Sequence, residues 1–150
     1  MSDFGKLLTA VITPFDNNGV LNTDTLWRLC KKLVHEKSDG LVLSGTTGES
    51  PNLTKEDRKI IYSTAKDSVG DKAKIIAGTG TYSTKESIEY TKMANDIGVD
   101  GIMIVTPYYS KPSQFGILKH FEEVSNNTDL PIMAYNLSLI HISEPTRPIH

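Results

Sequence analysis

Five apolar runs, rich in β-branched residues, recur at intervals of roughly thirty residues and limit the fold of this chain more than any other feature. The runs are LLTAVITPF, GLVLSG, KIIAGTG, GIMIVTPYY and LPIMAYN. Their apolar residues are contiguous and do not alternate with polar ones, which predicts strands buried on both faces. The intervening segments are amphipathic; Leu26, Cys30 and Val34, for example, fall on one stripe of a helix. This alternation predicts an α/β fold of parallel strands joined by right-handed crossovers.

Signals for helix boundaries support the same organisation. Ser83, followed three residues later by a glutamate, predicts a capping box, and Thr54 precedes acidic residues suited to a first helical turn. Pro112 suits the first position of a helix, and Gly70 and Gly98 suit helix ends. Together with the apolar stripes, these signals predict four helices between the five strands.

Two architectures accommodate this pattern. The chain has 150 residues, enough for one domain. Five strands could form a doubly wound, flavodoxin-like sheet, which the pattern alone favours, or the first part of a (β/α)8 barrel, which needs about 250 residues. No linker or low-complexity segment precedes residue 136, and residues 137–150 show no strand or helix periodicity.

Composition narrows the function classes. The net charge of −2 and the sequence pI of about 6.1 leave no basic excess to bind nucleic acid. The single cysteine, Cys30, fits core packing in a reducing compartment. The N-terminal apolar run stops at Pro14, far too short to span a membrane, so we expect a cytoplasmic protein. No group of His, Asp or Glu has metal-ligand spacing, and we expect neither a metal nor a cofactor. His35 and His120 lie on predicted helices beside lysines and carboxylates, and we expect both side chains to be solvated.

Small hydroxyl residues, glycines and tyrosines collect where the predicted strands end. In parallel α/β folds, sites form at the carboxyl ends of strands. A set of this chemistry could bind a small oxygen-rich anion and relay protons, although each motif alone could be a structural turn or strand-end packing. Neither glycine stretch is a phosphate loop. The residues are Thr13, Ser44, the loop Gly45–Glu49, Gly78–Gly80, Thr106, Tyr108, Tyr109, Tyr135 and Asn136.

In order, spacing and content, four of these motifs resemble the dihydrodipicolinate synthase family. They are GTTGES after the second strand, AGTGT after the third, VTPYYSKPSQFGILKHF across the fourth, and LPIMAYN at the fifth. The resemblance covers residues 4 to 136 and implies the N-terminal part of a (β/α)8 TIM barrel, so we expect the barrel and not the doubly wound sheet. N-acetylneuraminate lyase belongs to the same class of pyruvate-dependent aldolases but tends to carry serine at the position of Thr46. A flavodoxin-like binding module is the non-enzyme alternative.

The resemblance implies a lyase that condenses pyruvate with L-aspartate semialdehyde through a Schiff base, in lysine (diaminopimelate) biosynthesis. Thr46 and Thr47 would bind the pyruvate carboxylate. Tyr135 would pass protons to and from the Schiff-base intermediate, and Thr47 would link it to Tyr109, which in this family comes from a neighbouring subunit. The family thus implies a homo-oligomer, a dimer or a tetramer.

The family pattern also implies a regulatory site. In lysine-inhibited members this site includes positions that match Ser50, Glu86 and Tyr108. Lys55 replaces a histidine of the lysine-sensitive pattern, and Tyr82 replaces an asparagine. We therefore do not expect inhibition by lysine.

The chain departs from the family after residue 136. The segment LSLIHISEPTRPIH follows, with Ile140 where the family has an arginine that binds the second substrate. This segment looks like a translated sequencing adaptor, and we expect it to be irregular and non-native. The Schiff-base lysine lies on a sixth strand in the family, and neither Lys74 nor Lys111 matches it. We therefore expect the 150-residue chain alone to be inactive and prone to self-association, because five strands cannot close a barrel.

Overall fold

Strands and helices alternate throughout residues 4–136, the part of the chain that the computed structural model describes. Five strands and four α-helices occur in this range, which confirms the predicted elements. Two 3-10 helices, Ser50–Asn52 and Gly70–Lys72, flank the second α-helix. The segment 137–150, expected to be irregular, lies outside the described residues. In chain order the elements are β1 (Leu8–Ala10), α1 (Thr23–His35), β2 (Gly40–Leu43), α2 (Lys55–Val69), β3 (Lys74–Gly78), α3 (Thr84–Ile97), β4 (Gly101–Val105), α4 (Gln114–Ser125) and β5 (Ile132–Tyr135).

The five strands form one parallel sheet whose spatial order equals the chain order, β1-β2-β3-β4-β5. A flavodoxin-like sheet has the order 2-1-3-4-5, with its first strand inside the sheet. Here β1 pairs only with β2 among the described residues, so the flavodoxin-like alternative is excluded. Sequential parallel strands with a helix after each are the arrangement of a (β/α)8 barrel, and the fold is a partial TIM barrel.

The two faces of the sheet are covered very differently. Alternate strand residues such as Leu41, Ile75 and Ile102 join the helices in one large core, which corresponds to the outside of a barrel. The residues between them point to the opposite face, where Val42 and Ile76 belong to a much smaller apolar cluster. All four helices therefore lie on one side of the sheet, as right-handed crossovers in a barrel require.

Helix ends follow the predicted signals with two corrections. Thr54 and Asp57 form a full capping box at α2. The capping box predicted at Ser83 is only half formed: the Ser83 hydroxyl accepts the Glu86 N–H, but the Ser83 N–H donates to the Thr81 hydroxyl and not to Glu86. Gly98 ends α3 in the left-handed conformation, at φ 79°. The prediction that Pro112 opens a helix is wrong: α4 begins at Gln114, because the Ser113 hydroxyl supplies the N-cap acceptor.

Two side chains of the outer core bear on the sequence analysis. Cys30 is buried, as predicted, and burial raises the pKa of its thiol to about 11. His120, which its charged helix neighbours predict to be solvated, is instead buried at 3% exposure. Its Nδ1 lies 2.9 Å from the Thr84 hydroxyl, which ties α4 to α3 and satisfies one ring nitrogen. Burial lowers the pKa of His120, so the neutral ring is favoured.

Candidate active site

A pocket of about 240 Å³ opens at the carboxyl ends of β2, β3 and β4. Parallel strands bring their carboxyl ends to one edge of a sheet, so loops that are distant in the sequence meet there. Most of the lining residues are glycines or carry a hydroxyl group, although the surface that they present to the pocket is mainly apolar. The lining residues are Ser44, Gly45, Thr46, Ser50, Pro51, Gly78, Gly80, Met103, Val105, Thr106 and Tyr108.

The loop Gly45–Glu49 leaves β2 through a residue in the left-handed conformation, Ser44, at φ 53°. Glu49, at φ 57°, is left-handed as well, and such non-glycine residues cost about 1–3 kcal/mol each and cluster at functional sites. Inside the loop, the Gly48 and Ser50 N–H groups both donate to the Gly45 carbonyl, at 3.1 and 3.2 Å. These bonds give the loop a defined shape and leave its two threonines exposed at the tip.

The loop is held from beneath by the end of β1. The Thr13 hydroxyl, which is buried, donates to the Gly48 carbonyl at 2.7 Å. A Cβ at Gly48 would lie 3.0 Å from the Val11 carbonyl oxygen, so a side chain there would push the loop away from β1. Thr13, predicted as one of the strand-end hydroxyls, therefore positions the loop.

The opposite side of the loop rests on the end of β3. A Cβ at Gly78 would lie 2.5 Å from the Ser44 carbonyl oxygen, which explains why glycine stands at this position. The Gly78 carbonyl accepts hydrogen bonds from Arg58 Nη1, at 2.8 Å, and from the Tyr62 hydroxyl, at 3.0 Å. Arg58 and Tyr62 lie on α2 and are both buried.

Arg58 and Tyr62 are not among the site residues predicted from the sequence, although the sequence carries a signal for them. Arg58, Ile61, Tyr62 and Ala65 fall at i, i+3, i+4 and i+7 of α2, and all four are buried. An arginine in the apolar stripe of a helix must find polar partners inside the protein, since a buried charge without them is very costly. That spacing alone could have marked Arg58 as an interior residue.

The three predicted site tyrosines have different environments. Tyr108 is half-buried and packs its ring against Tyr82 in a T-shaped pair, with 5.6 Å between centroids. Burial raises the pKa of Tyr108, and the positive charge of Arg58 opposes this rise. Tyr109 is 92% exposed and has φ 67°, so its side chain points away from this chain's core. Tyr135 ends β5 and packs on the small inner apolar cluster.

The structure brings some of the predicted catalytic and binding residues together and leaves others apart. Thr46 lines the pocket, whereas Thr47, Tyr109 and Tyr135 do not. Across residues 4–136, no side-chain hydrogen bond joins Thr47 to either tyrosine. The proton relay through these three residues stays a prediction.

The three candidate regulatory residues lie on the β3–β4 side of the site. Ser50 and Tyr108 line the pocket, and the Ser50 carbonyl and hydroxyl both accept hydrogen bonds from Arg58. Glu86 lies in the first turn of α3, and its charge contributes to the raised pKa of Tyr108. Lys55, at the start of α2, is exposed. The substituted position Tyr82 is occupied by a ring that shields Tyr108.

Two further features bear on the kind of site. Within residues 4–136, no three His, Cys, Asp or Glu side chains are grouped so that they could hold a metal ion. In the same range, none of the helices has the length and apolar character to cross a membrane.

Comparison with known proteins identifies the fold and its loops. The model of the dihydrodipicolinate synthetase family matches residues 3–141. The chain belongs to this family. It is 51% identical over 135 residues to 4-hydroxy-tetrahydrodipicolinate synthase of Desulforudis audaxviator, a match that covers 90% of this chain and 46% of the relative. A solved dihydrodipicolinate synthase from Bacillus anthracis superimposes with a TM-score of 0.90 at 42% identity, over 95% of this chain and 50% of that one.

The family likeness extends to a second activity at lower identity. N-acetylneuraminate lyase from Mycoplasma synoviae superimposes with a TM-score of 0.84 at 31% identity, over 90% of this chain and 47% of that one. The chain spans about half the length of the synthases that it matches. The described residues therefore correspond to about the first half of a barrel of the dihydrodipicolinate synthetase family.

Proposed function

We propose that the full-length barrel, meaning a chain that contains residues 4–136 and continues to the length of these relatives, condenses pyruvate with L-aspartate semialdehyde in lysine (diaminopimelate) biosynthesis. The observation that carries this proposal is the glycine-bounded Thr46–Thr47 loop, held on the end of the sheet in a chain 51% identical to a synthase. A solved dihydrodipicolinate synthase from Acinetobacter baumannii, which is 33% identical to this chain with a TM-score of 0.88, is a complex with pyruvate.

The chemistry of the loop suits a carboxylate. Thr46 and Thr47 are exposed at its tip, and their hydroxyl and backbone N–H groups are neutral donors. A carboxylate accepts up to about four hydrogen bonds, and donors fixed before binding do not have to reorganise. In our proposal this loop binds the pyruvate carboxylate and so orients the keto carbon for attack by an amine.

We assign the Schiff-base lysine to a position outside residues 4–136. Lys74 stands at the amino end of β3, the end of the strand opposite the pocket, and its ammonium lies 2.9 Å from Asp100. The hydrogen bond to Asp100 raises the pKa of Lys74, which keeps the amine protonated and poorly nucleophilic. Lys111 is exposed and does not line the pocket.

The catalytic groups that we assign within this chain are Tyr135, Thr47 and Tyr109. Tyr135 would move protons at the Schiff base, and Tyr109 would act from a neighbouring subunit. The 92% exposure of the Tyr109 ring supports the latter role, because nothing in its own subunit covers the ring within the described residues. The working enzyme is then at least a dimer.

A substrate assay on the full-length barrel tests the proposed reaction. We expect turnover of pyruvate with L-aspartate semialdehyde and no cleavage of N-acetylneuraminate. The second candidate function, N-acetylneuraminate lyase, rests on the solved relative at 31% identity, and the opposite result in the assay would establish it in place of the synthase.

Trapping with borohydride tests the assignment of the lysine. Pyruvate and borohydride should leave the intact mass of the 150-residue chain unchanged, whereas the full-length barrel should gain one reduced pyruvyl group. An adduct that maps to Lys74 or Lys111 in the shorter chain would contradict the assignment.

A further inference from the structure

The most unusual side chain near the site is Arg58, a cation that is 2% exposed. Moving a charge from water into a protein interior costs several kcal/mol unless good partners replace the water. Arginine usually meets this cost by pairing with a carboxylate. Among residues 4–136, however, Arg58 forms no ion pair.

The three oxygens that accept hydrogen bonds of 2.7–2.8 Å from Arg58 are neutral and belong to two residues at the site. Nη1 donates to the Gly78 carbonyl at 2.8 Å, and Nη2 donates to the Ser50 carbonyl at 2.8 Å and to the Ser50 hydroxyl at 2.7 Å. The guanidinium carbon lies 4.5 Å from the centre of the Tyr90 ring, within the range of a cation–π contact. The planar guanidinium group thus joins the end of β3 to Ser50. Ser50 directly follows the loop Gly45–Glu49, which contains Thr46 and Thr47 and is called the threonine loop.

Hydrogen bonds from Thr13 and Arg58 hold the threonine loop on two sides. The Thr13 hydroxyl holds Gly48 from the β1 side, and Arg58 holds Ser50 from the β3 side. Thr46 and Thr47 lie in the segment just before these two anchors. Glu49, between the anchors, is in the left-handed conformation, which needs support from its surroundings to persist.

We propose that Arg58 is a positioning residue that holds the Thr46–Thr47 loop in its carboxylate-binding shape. Arg58 does not touch the substrate; it acts through Ser50 and Gly78. This inference rests on the proposed function, because it presumes that the loop binds pyruvate. A site whose donors must hold a narrow geometry is expected to have such a supporting layer of hydrogen bonds. An apolar side chain has no donors for these three oxygens, and a lysine ammonium on its flexible stem lacks the planar fork that reaches Ser50 and Gly78 together.

The test compares the Michaelis constant for pyruvate in variants of the full-length barrel. Arg58→Met keeps much of the side-chain length and removes the guanidinium N–H donors. Arg58→Lys keeps the positive charge and loses the planar, forked arrangement of donors. We expect Arg58→Met to raise KM for pyruvate about tenfold, equal to about 1.4 kcal/mol of binding. It should lower kcat by less than the roughly 10²-fold expected for Thr47→Val, because Thr47 is displaced and not removed. Arg58→Lys should lie between Arg58→Met and the wild type.

Ile61→Val is the matched control on the same helix. Ile61 is 1% exposed and packs in the outer core, away from the loop. Its substitution should lower the melting temperature and leave KM for pyruvate unchanged. If Ile61→Val raises KM as much as Arg58→Met does at equal loss of stability, Arg58 has only a structural role and the inference is overturned.

Two further measurements keep the inference testable if Arg58→Met does not fold. Ser50→Ala removes one acceptor of Arg58 and should raise KM for pyruvate about twofold to threefold, in line with a single hydrogen bond of about 0.5 kcal/mol. Arg58→Ala should recover pyruvate affinity when about 10 mM ethylguanidinium is added, because this cation can replace the fork. Failure of both effects would overturn the inference.

The outcomes separate this inference from the proposed function. If the wild-type barrel neither turns over pyruvate nor forms a trapped adduct, the proposed function fails. If the wild type is active and the Arg58 variants keep a KM within twofold of its value, only the positioning role fails.

Discussion

The two ends of the sheet hold their polar groups by different means. At the amino ends of the strands, a carboxylate forms salt bridges with two ammonium groups: Asp100 lies 2.9 Å from Lys74 and 3.8 Å from Lys66. There Asp39 also accepts the Lys6 and Leu7 N–H groups, at 2.7 and 2.8 Å. The charged groups at this end are partly exposed to solvent, and both Asp100 and Asp39 have ammonium or N–H partners.

The carboxyl ends carry the opposite arrangement. Arg58 is buried on neutral oxygens, and Ser44 and Glu49 adopt left-handed backbone conformations. The Thr106 hydroxyl is buried without a hydrogen-bond partner among the described residues. Backbone strain and polar groups without hydrogen-bond partners are found mainly at functional sites. In TIM barrels the active site lies at the carboxyl ends of the strands, and the residues at the amino ends serve stability. The difference between the ends therefore predicts that mutations at one end cost activity and at the other end cost stability.

The largest effects on activity are expected for Thr47→Val and Tyr135→Phe in the full-length barrel. Each should lower kcat by about 10²-fold or more, as the loss of a positioned proton-transfer group does. The melting temperature should change little, because both side chains lie at the strand ends. Steady-state kinetics and thermal unfolding of the same preparations check both parts, and wild-type kcat in either variant would remove the relay.

The next prediction concerns Tyr109. We expect the full-length barrel to be at least a dimer in solution, because the family resemblance implies that Tyr109 acts in a neighbouring subunit, and the ring is 92% exposed among residues 4–136. Analytical ultracentrifugation gives the oligomeric state, and a dilution series gives the activity of the dissociated subunit. Full kcat in a demonstrated monomer would contradict the role of Tyr109 across the interface.

At the amino end, Asp100→Ala should lower the free energy of unfolding by about 1–2 kcal/mol at pH 7, since the carboxylate accepts charged and backbone donors while partly exposed. KM and kcat should stay within twofold of the wild type. Urea unfolding and steady-state kinetics on the full-length barrel give both numbers. A loss of activity without loss of stability would erase the contrast between the two ends.

The effect of Asp100 should depend on pH in a defined direction. Burial opposes ionisation of Asp100, but the Ile75 N–H and the Lys74 and Lys66 ammonium groups outweigh it and lower the pKa below 3.8. The unfolded chain therefore binds this proton first as the pH falls. The stabilisation is present above about pH 4 and disappears as the pH drops through the folded-state pKa. The difference between the wild type and Asp100→Ala should shrink between pH 5 and pH 2, and a constant difference would refute the assignment.

The smallest effect is expected for added lysine. Lys55 and Tyr82 replace residues of the lysine-sensitive pattern, and the Tyr82 ring covers Tyr108. Lysine at about 1 mM should change the rate of the full-length barrel by less than twofold. The double variant Lys55→His with Tyr82→Asn restores the lysine-sensitive pattern and should be inhibited by lysine. Strong inhibition of the wild type would show that the two substitutions do not affect lysine binding.

Most of the fold could be predicted from the sequence, because contiguous apolar runs, helix stripes and caps are local signals. Strand order is not local: the pattern favoured a doubly wound sheet, and only the resemblance of GTTGES and TPYY indicated a barrel. The prediction that Pro112 opens a helix was wrong because Ser113, one position later, is the N-cap residue. The prediction that His120 is solvated was wrong because its hydrogen-bond partner, Thr84, lies on another helix and is not visible from the neighbours of His120 in the sequence.

The candidate site could be predicted only in part. Hydroxyls at strand ends are visible in the sequence, and Thr13 and Thr46 do lie at the site. The spacing on α2 could mark Arg58 as buried, but the support that it gives to the site could not be derived without α2 packed on the sheet. Its partners come from two different elements: Ser50 lies in the connection between β2 and α2, and Gly78 is the last residue of β3.

A crystal structure of the full-length barrel, reduced with borohydride in the presence of pyruvate, would show whether the loop Gly45–Glu49 binds a keto acid by its carboxylate. We expect carboxylate oxygens within about 3 Å of donors on Thr46 and Thr47, with Arg58 still bonded to Ser50 and Gly78. A trapped carboxylate that contacts neither threonine, or that lies at the amino end of the strands, would contradict this binding mode.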